Sequence, residues 1–305
     1  MDVLRTLLPV LLTIGIGLLC RRKNLISREG INALKSLVVN ITLPAVLLKA
    51  FAATSYSLMD VLIPLLMFAV CVAAWALGRA AGKALKLSSR FVPFLTTGFE
   101  AGMLGYALFN MLYGTARTAE FARIDLGQVL FVFTLYKILL GQTGGERADG
   151  KQLLKEMASS PVILAILAGV LLGATGLFRA LAPSGVSGLI ETCADFVAAP
   201  TSVIILLTIG YDLIPGDIPW KETLKIVALR LAVMAVLGAT VAFGVKALWP
   251  DAGLTAAIAV MFILPPPFVL PVFADDEDQR VLISSVLSVS TLVAIAGFAV
   301  LAALA

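Results

Sequence analysis

Long apolar runs separated by short polar stretches recur along almost the whole chain. Ten can be counted, at about residues 3–20, 32–52, 59–80, 90–113, 126–141, 160–177, 186–210, 223–246, 253–273 and 281–304. About 20 apolar residues in helical conformation cross the hydrocarbon layer of a bilayer. Most runs reach that length, and the fifth and sixth fall short of it. The split between the fourth and fifth runs rests on the polar stretch from Thr115 to Asp125. The pattern predicts an all-α membrane protein of ten transmembrane helices.

Two runs are interrupted near their middles. The fourth reads TTGFEAGMLGY from Thr96 to Tyr106, with Gly98 and Gly102 flanking Glu100; the ninth reads FILPPPFVLP, with Pro265, Pro266 and Pro267 in succession. Proline has no N–H to donate and clashes with the preceding turn, so three in a row cannot sit in a regular helix. Broken backbone is tolerated in a membrane only where it faces protein or water. Both runs are therefore expected to be broken helices that cross near the midplane.

A second echo lies half a chain apart: VVNITLPAVLL with Pro44 in the second run, and CADFVAAPTSVII with Pro200 in the seventh. Between the two halves, residues 141–159 are first polar and Gly-rich, then a charged helical stretch, GKQLLKEMA. This divides the chain into a first five-helix repeat at 1–141, a cytoplasmic linker at 142–159 and a second repeat at 160–305. An odd number of spans per half makes the second enter from the opposite side, an inverted-topology repeat.

Basic residues set the orientation. Arg21, Arg22, Lys23, Arg28 and Lys35 follow the first run, and Arg79, Lys83, Lys86 and Arg90 follow the third, whereas the loop after the second carries only Asp60. The positive-inside rule puts the first and third loops in the cytoplasm. With ten spans both termini are then extracytoplasmic, in a multi-pass protein of the cell membrane. Residues 6–19 resemble a signal-peptide core, but basic residues and no small-residue cleavage site follow, so a first membrane helix is expected there.

Composition strengthens this picture. The chain is 60% hydrophobic and 14% charged, where a soluble domain carries about 25% charge. The formal charge of +4 is too modest to suggest nucleic acid as a partner; membrane lipids are the expected surroundings. Cys20, Cys71 and Cys193 lie far apart with no metal-ligand spacing, and there is no histidine. No metal site and no cofactor are expected, and any proton path must use carboxylates, Lys, Tyr or water.

Glu100 is the leading candidate for chemistry. A carboxylate at the centre of a span costs about 2.5–3.5 kcal/mol on insertion scales, and such groups commonly mark ion or substrate pathways. Desolvation penalises its charged form, which suits it to take up a proton on one side and release it on the other; holding a cation, or bonding to a neighbouring helix, are the alternatives. Asn40 sits one turn before Pro44, where it can organise the opened turn or touch a ligand. Asp195 lies half a span deep, available to proton traffic or to a cation such as Lys49. Lys137 and Arg230 lie within apolar runs, where snorkelling to the cytoplasmic side accounts for them; the alternative is a positive potential for an anionic substrate. Tyr106, Asn110 and Tyr136 are pocket walls or packing residues.

With NITLP in the second run, the glycines at 98–105, ten apolar spans and a central loop in this order, the chain resembles the auxin efflux carrier family and its bacterial malate or malonate permease-like members, along almost all of its length. The resemblance implies a fold like that of the bile-acid-type sodium symporters. A scaffold would come from spans 1, 2, 6 and 7, and a transport domain from spans 3–5 and 8–10. The substrate would sit near the crossing of spans 4 and 9, movement would be of the elevator type, and the assembly would be a homodimer. The family often has asparagine just before the fourth-span glycines and proline shortly after; here Thr96 and Thr97 keep a hydroxyl but no amide, and Tyr106 follows Gly105. Thr97 joins the candidate substrate and ion site on this ground.

The sequence thus leads to a secondary active transporter of a small organic anion, a dicarboxylate or an auxin-like carboxylate, coupled to protons or alternatively to sodium. A membrane sensor or structural protein that keeps the carrier fold without flux is the other class. An enzyme is not expected, since no nucleophile–base pair stands out.

Overall fold

The computed structural model describes residues 2–54, 56, 59–143, 159–212, 218–274 and 276–304. Most of the linker expected at 142–159 lies outside the described residues, as does Asp275 of the acidic run before the last helix.

The described residues are helical, with no strand among them. In chain order the main helices are α1 (Asp2–Arg22), α2 (Arg28–Ala52), α3 (Met59–Ala84), α4 (Val92–Leu95), α5 (Tyr106–Tyr113), α6 (Thr115–Gly141), α7 (Pro161–Ala174), α8 (Val186–Asp212), α9 (Trp220–Leu248), α10 (Thr255–Ile263) and α11 (Glu277–Leu304). Six of them, α2, α3, α6, α8, α9 and α11, are long and apolar enough to cross a membrane. A seventh follows if α7 and the segment Leu177–Ser184, bent by 65° from it, count as one span. The six are 25 to 29 residues long; at 1.5 Å per residue they reach roughly 38–44 Å, more than the hydrocarbon layer of about 30 Å.

Among the described residues, six or seven helices thus pass as spans where the sequence has ten apolar runs, and both expected breaks are present. The fourth run breaks between α4 and α5, where Gly98 has φ +65°, and the ninth breaks after α10 at its three prolines. The stretch from Thr115 to Asp125, expected to be a polar divider, is instead the opening of α6. The real interruption is Gly114, at φ +81°. The polar side chains after it are accommodated by bonding locally: the Thr118 hydroxyl lies 2.7 Å from both Asn110 Oδ1 and the Thr115 carbonyl.

Two compact units divide the chain. The first comprises Met1–Leu62, Gly102–Ala122 and Leu154–Leu213. Within it α1 packs on the second half of α8, and α7 on the second half of α2. Glycines set how closely these helices approach. A Cβ on Gly17 would lie 2.0 Å from the Leu207 carbonyl oxygen, and one on Gly210 2.0 Å from that of Ile14; Gly169 and Gly173 meet Phe51 at 2.7 Å in the same way. Close backbone approach over small residues is how helices associate where lipid removes the hydrophobic drive. In α2 a wide turn at Val38–Thr42 precedes Pro44, where the proline leaves a carbonyl without its usual donor. At one end of this unit Asp212 accepts from Arg28 at 2.5 Å and from Lys35.

The second unit comprises Ile63–Ala101, Arg123–Leu153 and Ile214–Ala305. In it α6 lies directly on α3, since a Cβ on Gly127 would fall 2.0 Å from the Pro64 carbonyl oxygen. An edge-on aromatic chain, Phe68–Phe131–Tyr136–Phe94, fills the space beside α3. The turn after α3 is tied to two helix starts: Ser88 Oγ donates to Glu222 in α9 at 2.6 Å, and Ser89 Oγ donates to Gln279 in α11 at 2.6 Å.

Candidate functional site

The second unit holds the first part of the broken fourth run, as far as Ala101, and the whole of the broken ninth, and these meet. The short helix α4 ends at Thr96, whose hydroxyl donates back to the Val92 carbonyl at 3.0 Å. The Thr97 hydroxyl donates to the Cys71 carbonyl of α3 at 2.6 Å. Gly98 then takes a left-handed conformation and reverses the backbone against Pro267, whose Cγ would be 2.9 Å from an added Cβ. On the other segment Leu264 is extended, at φ −66° and ψ 151°, the conformation that a following proline favours.

Two reciprocal hydrogen bonds join the segments. The Glu100 N–H donates to the Pro265 carbonyl at 2.9 Å, and the Phe268 N–H donates to Glu100 Oε2 at 2.5 Å. Glu100 is thus partly buried and its carboxylate caps the backbone just past the prolines. Thr97, Gly98, Glu100, Pro265, Pro266 and Pro267 belong to this one unit.

The residue that organises the meeting is Arg230 of α9. It is 2% exposed. Its Nη1 donates to the carbonyls of Leu95 and Thr97 at 3.1 and 3.4 Å, and its Nη2 to those of Gly98 and Leu264 at 2.8 Å each. The Phe99 ring lies 5.8 Å from the guanidinium carbon. Snorkelling is overturned for this residue, because its charge is turned inward onto carbonyls that broken helices leave without donors. The sequence signal that points to it is a lone arginine well inside a long apolar helix opposite two predicted breaks. Lys137 differs: its ammonium sits 5.0 Å from the Phe133 ring centre.

The other candidates belong to the first unit. Asn40 lies in the wide turn of α2, and its amide donates to the Ser36 carbonyl and hydroxyl at 2.9 Å each; Pro44 follows in the first turn beyond. Gly102 stands against Leu43, 3.4 Å from an added Cβ. Tyr106 is buried and edge-on to Phe121, with centroids 4.9 Å apart. Asp195 is held by Lys49, with Nζ–O distances of 2.6 and 2.7 Å, an arrangement of the kind given by the second of its two alternatives.

A separate open crevice of about 600 Å³ lies among α9, α10 and α11, walled by small and apolar residues such as Ala235, Gly238, Ala242, Ala259 and Gly297. Its chemistry does not suit a small anion, and the polar groups converge at the broken segments instead.

Residues 2–151 match the family model described as "Membrane transport protein". Over these residues, just under half of its length, the chain is similar to the membrane transport protein family. This is the auxin efflux carrier family of the sequence resemblance, and its members are membrane transporters. The matched half includes the first break and Glu100, while Arg230 and the triple proline lie beyond it. No curated protein matches the chain.

Proposed function

We propose that this membrane transport protein is a secondary active carrier of a small organic anion, a dicarboxylate or an auxin-like carboxylate, coupled to protons and moving by an elevator-type alternation. The observation that carries this reading is the meeting of two broken segments in one unit, with a carboxylate on one of them. In secondary transporters, discontinuous helices near the midplane present backbone groups to substrate and coupling ion. Glu100 supplies a group that can take and release a proton. The spans read as scaffold fall in the first unit and most of those read as transport domain fall in the second, which is the division an elevator needs.

The ten-span inverted repeat belongs to the same proposal. In the first unit α1 pairs with the second half of α8, and α7 with the second half of α2. If α7 and α8 repeat α1 and α2, each pair is the other with its halves exchanged.

The test is uptake of radiolabelled dicarboxylates and aromatic monocarboxylates into proteoliposomes under imposed proton or sodium gradients, for wild type and Glu100→Gln. Gradient-driven accumulation, lost in Glu100→Gln, is the expected result. Accumulation unchanged in Glu100→Gln would leave Glu100 as a backbone cap only. No uptake of any acid by folded protein would remove the small-anion reading and favour a non-transporting role.

A further inference from the structure

Convergent backbone carbonyls at unwound helices are the groups that coordinate sodium in secondary transporters. In this chain four such oxygens, from Leu95, Thr97 and Gly98 of one broken segment and Leu264 of the other, converge on a single cationic side chain. The match is geometric as well as electrostatic. A guanidinium is planar, remains charged and presents its donors in a fixed fork; the two terminal nitrogens of Arg230 each serve two oxygens. A Phe99 edge–face cluster with Phe262, centroids 5.3 Å apart, lies beside it, and the side chain is almost wholly buried.

We propose that Arg230 is a built-in cation, its guanidinium filling the carbonyl cage where a sodium ion would otherwise bind, so that this site takes no alkali cation. The claim about the cage stands on geometry; its consequence, sodium-independent coupling, rests on the carrier reading above. The positive charge is covalently attached to α9 and stays with the unit. Only the substrate and protons are then left to carry charge through this site.

Lysine cannot replace it fully. A single ammonium has three donors on one atom, so it cannot reproduce two forks onto four oxygens and leaves carbonyls buried without donors. Alanine empties the cage and leaves a polar space that a small guanidinium fits.

The test uses the full-length protein in detergent, followed by thermal unfolding. For wild type, exchanging choline for sodium at constant ionic strength is expected to leave Tm unchanged, because a ligand raises stability only by binding the folded state. For Arg230→Ala, Tm is expected to fall and to be partly restored, saturably, by millimolar methylguanidinium but not by methylammonium. Arg230→Lys is expected to lie between wild type and alanine. A saturable sodium-specific rise in wild-type Tm overturns the proposal, as does an Arg230→Ala protein as stable as wild type and indifferent to methylguanidinium. If the alanine variant does not fold, wild type with sodium and Arg230→Lys decide: a lysine variant as stable as wild type also overturns it. In proteoliposomes, a proton-driven uptake that sodium does not stimulate is expected. Absence of any uptake counts against the carrier reading alone and leaves the thermal result standing.

Discussion

Gly98 carries more of the site than its missing side chain suggests. Its φ of +65° is a region where an L-residue costs roughly 1–2 kcal/mol, and the space an added methyl needs is taken by Pro267 at 2.9 Å. Gly98→Ala is therefore expected to lower stability by at least about 1–2 kcal/mol, read as a drop in Tm in detergent; an unchanged Tm would mean that the turn is not held as described. At this scale the sequence was partly readable. Glu100 stood out because a charge within an apolar run is costly. What it touches did not, since the Phe268 N–H that it accepts from lies 168 residues away. Arg230 is visible as a charge, but the choice between its two readings is not, because periodicity says how deep a residue lies and not which way its side chain turns. Only the four carbonyls around it decide that.

Among helices, the decisive contacts are glycines against backbone. Gly210 and Gly188 share α8, yet a Cβ on Gly210 would be 2.0 Å from the Ile14 carbonyl oxygen while one on Gly188 meets nothing within 4 Å. The two alanine substitutions are expected to act in opposite directions. Gly210→Ala should force α1 and α8 apart and destabilise by about 1–3 kcal/mol. Gly188→Ala should be neutral or stabilise by up to about 1 kcal/mol from helix propensity. Parallel thermal melts of both variants decide it, and a similar effect in each would remove the close-approach argument. Apolar periodicity made the long helices readable to within a few residues, as with α9, expected at 223–246 and found at Trp220–Leu248. It failed at the start of α6, where Thr115, Glu120 and Asp125 looked like a loop. There a polar helical opening is stabilised by local bonds, such as Arg117 to Glu120 at 2.6 Å, that hydropathy does not register.

At the scale of the whole molecule, six helices suited to crossing a membrane among the described residues, with the match to a family of transporters, support a multi-pass membrane protein. The orientation expected from the basic loops can be tested. Ser88 donates to Glu222, so the end of α3 and the start of α9 lie on one face of the second unit. Cysteines replacing the exposed Lys83 and Lys221 in a Cys193→Ser background are expected to react with a membrane-impermeant maleimide only after cells are permeabilised. Labelling of both from outside would invert the topology, and labelling of one alone would break the span count between them.

One oxygen atom in the second unit has two duties. Glu100 Oε2 receives the Phe268 N–H, and the same carboxylate is the group proposed to carry a proton. A proton settling on that oxygen and the amide of Phe268 compete for the same lone pairs. Protonating and deprotonating the carboxylate would then also slacken and tighten the tether beyond Pro267, making a chemical event legible as a mechanical one without any intervening residue.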